Sequence, residues 1–369
     1  MRIDPDRPVA DLSIAEQQLV EIAKALSREM TLLILDEPTA ALGPGEIERL
    51  HQVIRLLAQQ GTSMLYISHR LEEVFGVADV ITVIRDGQIV GSRPRRETTV
   101  REIVRMMIGA DVDQHFARER RARTGARLEV RGISTARGVR DVSFDLAPGE
   151  ILGLGGVVGS GRTEIARALF GLDPLTRGEL LVEGRPVTLR SPADAIAAGL
   201  ALLPEDRKAD GLFTNWTGIP NVTVANLARV ARGPFLRLAT ERRRGGDLMN
   251  DLQIDPRARS VAVPFISGGN QQKLVLARWL FSEAKVLILD EPTQGIDVGA
   301  KFEVYRVMND LTARGISIVL ISSDYPELLA LSDRVAVVRQ GRIVHLASQG
   351  SLTEHELVEM AATTLEKGA

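Results

Sequence analysis

Apolar residues in this chain recur in two rhythms. Short unbroken runs, "TLLILD" (31–36), "SMLYIS" (63–68) and "DVITVI" (79–84), predict buried parallel strands. Between them the apolar positions follow a helical period, over 13–29 with Ser13 as N-cap and over about 44–60. The series then returns as "KVLILD", "SIVLIS" and "DRVAVV", with a helix at 298–313. Strand–helix–strand order predicts an α/β fold, a parallel sheet covered on both faces.

The return is a duplication. "LILDEPTAAL" (Leu33–Leu42) comes back as "LILDEPTQGI" (Leu287–Ile296), an offset of 254 residues between Glu37 and Glu291. At that offset Ser13–Val90 aligns with Ser267–Val344 without a gap, with 27 of 78 positions identical. So long a spacing is not a solenoid repeat; it marks two copies of one domain. The copies are unequal. Gly161 precedes Ser267 by 106 residues, and its equivalent in the first copy would fall ahead of Met1. The expected organisation is an incomplete first domain (1–92, its C-terminal part), a linker (93–127) and a complete second domain (128–350). A C-terminal helix and tail (351–369) follow. The linker holds one helical pattern, "VREIVRMMIG", and an arginine-rich run, "RERRARTGAR", read as a solvated face.

The chemistry lies in four short motifs. "GVVGSGRT" fits the phosphate-binding pattern G-x-x-x-x-G-K-[ST] except that Arg162 stands where lysine is expected. An apolar strand leads in and an amphipathic helix leads out. Gly156, Gly159, Ser160 and Gly161 would turn backbone N–H groups toward phosphate oxygens, and Thr163 would offer its hydroxyl to Mg²⁺. Arginine is a wide planar fork, so Arg162 would bind phosphate differently from a lysine. Asp290 ends a buried strand, where Mg²⁺ would partner it, and Glu291 is placed to polarise a water. Asp36 and Glu37 repeat that pair. Ser267, Gly268, Gly269 and Gln271 open a helix whose N-terminus suits an anion. Their counterparts keep Ser13 and Gln17 but have Ile14 and Ala15 for the glycines, which predicts a poorer anion site. His69 follows a strand, where it would reach a γ-phosphate; its mate is Ser323.

Composition narrows the classes. The chain has 369 residues, a net charge of −2 and no cysteine. That excludes a disulfide framework and thiolate metal sites, and gives no basis for nucleic acid as a partner. No apolar run approaches the ~20 residues of a membrane helix, so any service to a membrane requires a partner that spans it.

Together these motifs resemble the ATP-binding cassette ATPases. "GRTE", "PEDRKADGL" (Pro204–Leu212), "SGGNQQK" and "DEPTQGIDVGAK" are similar to the fused double-cassette subunit of bacterial monosaccharide importers, of the ribose, xylose, galactose and arabinose type. The resemblance spans essentially the whole chain. It implies a P-loop fold with a helical subdomain between Glu205 and Ser267, which docks a membrane permease and could use Trp216. It implies ATP and Mg²⁺ as cofactors, a periplasmic sugar-binding protein beyond the permease, and a place on the cytoplasmic face of the inner membrane. In that family the second loop commonly carries arginine, and Glu205 stands at about the position of a family glutamine. No aromatic occurs in "STARGV" (Ser134–Val139), near where such cassettes stack adenine. The family's cassettes pair head to tail. One ATP site would join the first loop, Asp36, Glu37 and His69 to Ser267–Gly269. The other would join Gly156–Thr163, Asp290 and Glu291 to Ser13–Gln17, with Arg162, Ser323 and Ala15 as weak members. Weak Mg-ATP binding with little hydrolysis is the expectation. A soluble twin-cassette ATPase acting on ribosomes or DNA, and a non-catalytic remnant, are the alternatives.

Overall fold

The computed structural model describes residues 4–27, 30–39, 42–68, 70–85, 87–108 and 125–362. The chain forms two compact units, Met1–Val112 and Asp113–Ala369.

Unit 2 contains two sheets. An antiparallel sheet joins β5 (Leu128–Thr135), β6 (Val142–Leu146), β8 (Leu175–Val182) and β9 (Arg185–Val187) in the order β6-β5-β8-β9. The main sheet holds β7 (Ile151–Gly155), β10 (Leu200–Leu203), β13 (Val286–Asp290), β14 (Ser317–Ile321), β15 (Arg334–Arg339) and β16 (Arg342–Ser348). Its order is β10-β13-β14-β7-β15-β16, parallel except for β16. Every residue of β7, β10, β13 and β14 is buried, because helices lie on both faces. These include α5 (Arg162–Leu169), α6 (Pro192–Ala197), α10 (Val298–Ala313), α11 (Tyr325–Leu331) and α12 (Glu354–Ala362). Between β10 and β13 sits the helical segment expected from the sequence. It carries α7 (Gly218–Thr223), a two-stranded ribbon β11–β12 (Ala231–Arg232, Phe235–Leu236), α8 (Leu238–Asp251) and α9 (Gly268–Phe281).

Unit 1 repeats half of this plan. Helix α1 spans Ile14–Leu26, α2 Pro44–Gln59, α3 Leu71–Val77 and α4 Val100–Ile108. Strands β1 (Leu32–Asp36) and β2 (Ser63–Ile67) are parallel; β3 (Val80–Arg85) and β4 (Gln88–Pro94) are antiparallel. Each strand has its unit 2 counterpart at an offset of 254, from β13 through β16. The correspondence runs past Val90 to α4 and α12, which match end to end. Helix α4, expected in the linker, packs Ile103 against Val74, Ile81 and Val83 within unit 1. Helix α4 therefore packs with the strands of unit 1.

One expectation is corrected. "TLLILD" does not form a doubly buried strand: Leu33 and Leu35 are buried, but Leu32 is 56% and Ile34 59% exposed. In unit 2 the counterpart Ile288 is fully buried, with α5 packed on β13. Nothing among the described residues of unit 1 corresponds to α5 or to β7, which in unit 2 joins β14 to β15. The two strand pairs of unit 1 are consequently separate sheets.

Candidate nucleotide site

The glycine turn of unit 2 runs from the end of β7 into α5. Gly159 and Gly161 take φ of +79° and +104°, and Gly161 is the N-cap. A Cβ on Gly156 would lie 2.5 Å from the Val338 carbonyl oxygen, and one on Gly161 would lie 2.8 Å from Gly341 Cα. Gly341 N–H donates to the Ser160 carbonyl at 2.7 Å, and a Cβ on Gly341 would meet the Gly138 carbonyl oxygen at 1.8 Å. The turn is thus seated on the β15–β16 hairpin, and the first N–H groups of α5 are left at the helix start.

Arg162 does not extend away from the protein. It is buried, its Nη1 donates to the Ser322 carbonyl at 2.9 Å, and its Nη2 lies 3.6 Å from Glu291 Oε1. Glu291 Oε2 accepts from the Ser323 N–H and hydroxyl, both at 3.0 Å. Glu291 also stands at φ +48°, a conformation that non-glycine residues rarely adopt, and Glu37 stands at +47° in unit 1. Each donates its N–H to the last residue of the neighbouring strand, Ile321 and Ile67.

Asp290 is buried at the end of β13, and its Oδ1 has no hydrogen-bond partner among the described residues. Burial pushes its carboxyl up to about 7; the neighbouring Glu205 and Glu291 add to this, while a hydrogen bond from Thr163 and the Arg162 charge oppose it. Thr163, Glu205 and Asp290 line one cavity of about 920 Å³ together with Arg207, Arg278 and Trp279. An orphaned buried carboxylate beside a threonine hydroxyl fits Mg²⁺, which takes one or two carboxylates with phosphate and water oxygens.

Ser267 caps α9, accepting from Asn270 N–H. Gly268 and Gly269 admit close neighbours: a Cβ would lie 2.9 Å from Arg207 Nη2 and 2.6 Å from Ala300 Cβ, respectively. Gln271 is buried, its amide donating to the Val263 and Ile266 carbonyls. Neither Ser267 nor Gln271 lines the 920 Å³ cavity. In unit 1 Ser13 and Glu16 form a capping box, at 2.8 and 3.3 Å, and Gln17 donates to the Leu12 carbonyl, the counterpart of Ile266. Asp36 is exposed at the end of β1. His69, and the side chains of Ile14 and Ala15, lie outside the described residues.

Sequence reasoning missed Arg207. It donates to the carbonyls of Gln294 at 2.7 Å and Gly295 at 3.0 Å, tying the helical segment to the loop after Glu291. Its position inside "PEDRKADGL" was visible, its partner 87 residues away was not.

A glycine turn capping a helix beside an acid-tipped parallel strand, with helices inserted before the capped α9, defines a P-loop ATP-binding cassette. The profile of the ABC transporter family matches residues 1–40 and 139–294. The chain is 46% identical over 364 residues to ribose import ATP-binding protein RbsA 2 of Streptomyces avermitilis, covering 99% of this chain and 72% of that protein. It is 45% identical over 367 residues to ribose import ATP-binding protein RbsA of Hahella chejuensis, covering 98% and 73%. A crystal structure of a nucleotide-free ATP-binding cassette from an ABC transporter superposes with a TM-score of 0.54 at 18% identity, over 63% of this chain and 94% of that one, a likeness of fold. The chain belongs to the ABC transporter family of ATP-hydrolysing cassettes.

Proposed function

We propose that this chain is the ATP-binding subunit of a bacterial monosaccharide importer, with unit 2 holding Mg-ATP at the turn Gly156–Thr163. The observation that carries the site is Asp290: a buried carboxylate with an orphaned oxygen, facing Thr163 at the mouth of a glycine turn. In this reading the N–H groups of Gly159 and Gly161–Thr163 would take the phosphates, the Ser160 N–H donating to the Val157 carbonyl, and Thr163 and Asp290 would hold Mg²⁺. When bound, the metal neutralises phosphate charge. Glu205 lines the same cavity as Thr163 and Asp290, and Glu291 would orient water. Ser13, Gln17, Ser267–Gly269 and Gln271 supply helix ends for anions, and Asp36, Glu37 and His69 the acids and switch of the first copy. Head-to-tail pairing of the cassettes is part of the proposal and rests on the family resemblance alone.

Hydrolysis at unit 2 is slow. Glu291 already accepts two hydrogen bonds and an ion pair, so its capacity to take a proton from water is low. A steady turnover above about 1 s⁻¹ that Glu291→Gln abolishes would overturn this part.

Among the described residues no helix is long and apolar enough to cross a membrane. The import role therefore takes a permease, reached from the cytoplasmic face, and a periplasmic sugar-binding protein beyond it. Exposed aromatics support the helical segment as the docking surface: Phe213 and Trp216 stack at 4.4 Å and are 47% and 42% exposed. Uptake of labelled ribose, galactose and xylose by cells with the gene disrupted is the test; at least one should fall to background. Unchanged uptake of all such sugars refutes the role.

A further inference from the structure

Behind each acid-tipped strand lies a buried glutamate that the reading above does not use. Glu327, in α11, is 3% exposed; its Oε2 accepts from Thr293 Oγ1 and from Tyr305 Oη, both at 2.6 Å. Thr293 belongs to the turn after Glu291. Tyr305 comes from α10. Glu327 N–H is in turn capped by Asp324, next to Ser323. One residue thus ties together the turn that carries Glu291, through its side chain, and the loop that carries Ser323, through its backbone N–H.

Unit 1 builds the same junction from different parts. Glu73 accepts from Thr39 Oγ1 at 2.6 Å and from Tyr66 Oη at 2.9 Å. Thr39 and Glu73 are the counterparts of Thr293 and Glu327, but the tyrosine has moved. Tyr66 lies on β2, where unit 2 has Leu320; Tyr305 lies on a helix where unit 1 has His51. His51 packs edge-on against Tyr66, ring centres 6.2 Å apart. A phenol hydroxyl on the glutamate has been kept while its element of origin changed. Packing alone would not require that: a buried hydroxyl needs a partner, whereas a Leu or Phe side chain would fill such a position without one.

We infer that Glu327 is a positioning residue for the nucleotide site, fixing the Glu291 turn against the Ser323 loop through Thr293 and Tyr305, with Glu73 its equivalent in unit 1. This rests on unit 2 being the nucleotide site, but the junction itself is testable without nucleotide. Each bond ends on a buried carboxyl, and losing one is expected to raise local opening about tenfold.

The test compares full-length wild type with Thr293→Val, Tyr305→Phe and the exchange Tyr305→His/Leu320→Tyr, which installs the unit 1 arrangement. Amide hydrogen exchange is read first, without ligand. Thr293→Val and Tyr305→Phe should speed exchange about tenfold in both 291–297 and 322–328 and leave β13 and β14 unchanged; the exchange variant should restore it. Single-turnover hydrolysis of Mg-ATP with enzyme in excess is read second: the rate should fall in the two single variants and recover in the third, with Mg-ATP affinity within twofold throughout. Acceleration at every amide alike, or at one of the two segments only, overturns the inference, as does a failure of the relocated tyrosine to restore what Tyr305→Phe loses. Absence of Mg-ATP binding to wild type would sink the proposed site and leave the exchange result to decide on the junction.

Discussion

Asp290 offers the sharpest test of how unit 2 is built. Its carboxyl ionises near 3.8 in an unfolded chain and is pushed up to about 7 by burial. A raised acid makes the folded state hold a proton that the unfolded state has lost, so stability is full below about pH 4 and declines as pH rises toward 7. The whole difference amounts to about 4 kcal/mol, of which about 3 kcal/mol falls between pH 5 and pH 8. With a urea slope of about 3 kcal/mol/M, the unfolding midpoint of apo unit 2 should fall by about 1 M over that range. Both tryptophans, Trp216 and Trp279, lie in unit 2, so fluorescence reports this unit alone. The assay is urea titration in EDTA at the two pH values, for wild type and Asp290→Asn. Other titrating groups move both proteins alike; only wild type should carry the extra fall, and Mg-ATP should remove it. If the two midpoints track each other with pH, or if Asp290→Asn is the less stable at pH 8, the burial argument is wrong.

Gly341→Ala should lower unit 2 stability by 2 kcal/mol or more, roughly, since its φ is +74° and the Cβ would meet the Gly138 carbonyl; Gly184→Ala, with φ +73° and open space, should cost only about 1 kcal/mol in the same urea titration. Ile288→Ala, on a fully buried strand, should cost about 2–5 kcal/mol, whereas Ile34→Ala at the matching position of unit 1 should cost well under 1 kcal/mol by scanning calorimetry. Arg162→Lys cannot span both Ser322 and Glu291, so the apo unit should lose about 1–2 kcal/mol while single-turnover hydrolysis rises; a slower turnover would count against Arg162 restraining Glu291.

The strand tips and turns were legible because their chemistry is local. "VLILD" is apolar throughout, and β13 is buried throughout. "LLILD" is nearly the same word, yet β1 is half exposed, since burial depends on what packs above it and not on the strand's own residues. The duplication is plain in the sequence as far as Val90. Beyond it 91–99 and 345–353 share a single threonine, Thr99 with Thr353, and the match resumes only at α4, where buried Ile103 stands for buried Leu357. Exposed β4 and its following loop bear little packing constraint and hide the register. The glycine turn was plain from spacing, but the aim of Arg162 was not: a six-bond side chain can reach phosphate or Glu291, and only the surrounding structure selects. Thr293–Glu327 was hidden for a similar reason, its partners being 34 residues apart on separate elements.

The account turns on whether the main-chain amides of Gly156–Thr163 hold polyphosphate. Isothermal titration of the folded chain with Mg-ATP, repeated with inorganic tripolyphosphate as competitor, measures this most directly. One saturable site per chain, displaced by tripolyphosphate and weakened in Asp290→Asn when magnesium is present, is the predicted result. A folded protein that gives no heat with Mg-ATP, or binds it indifferently to tripolyphosphate, contradicts the account.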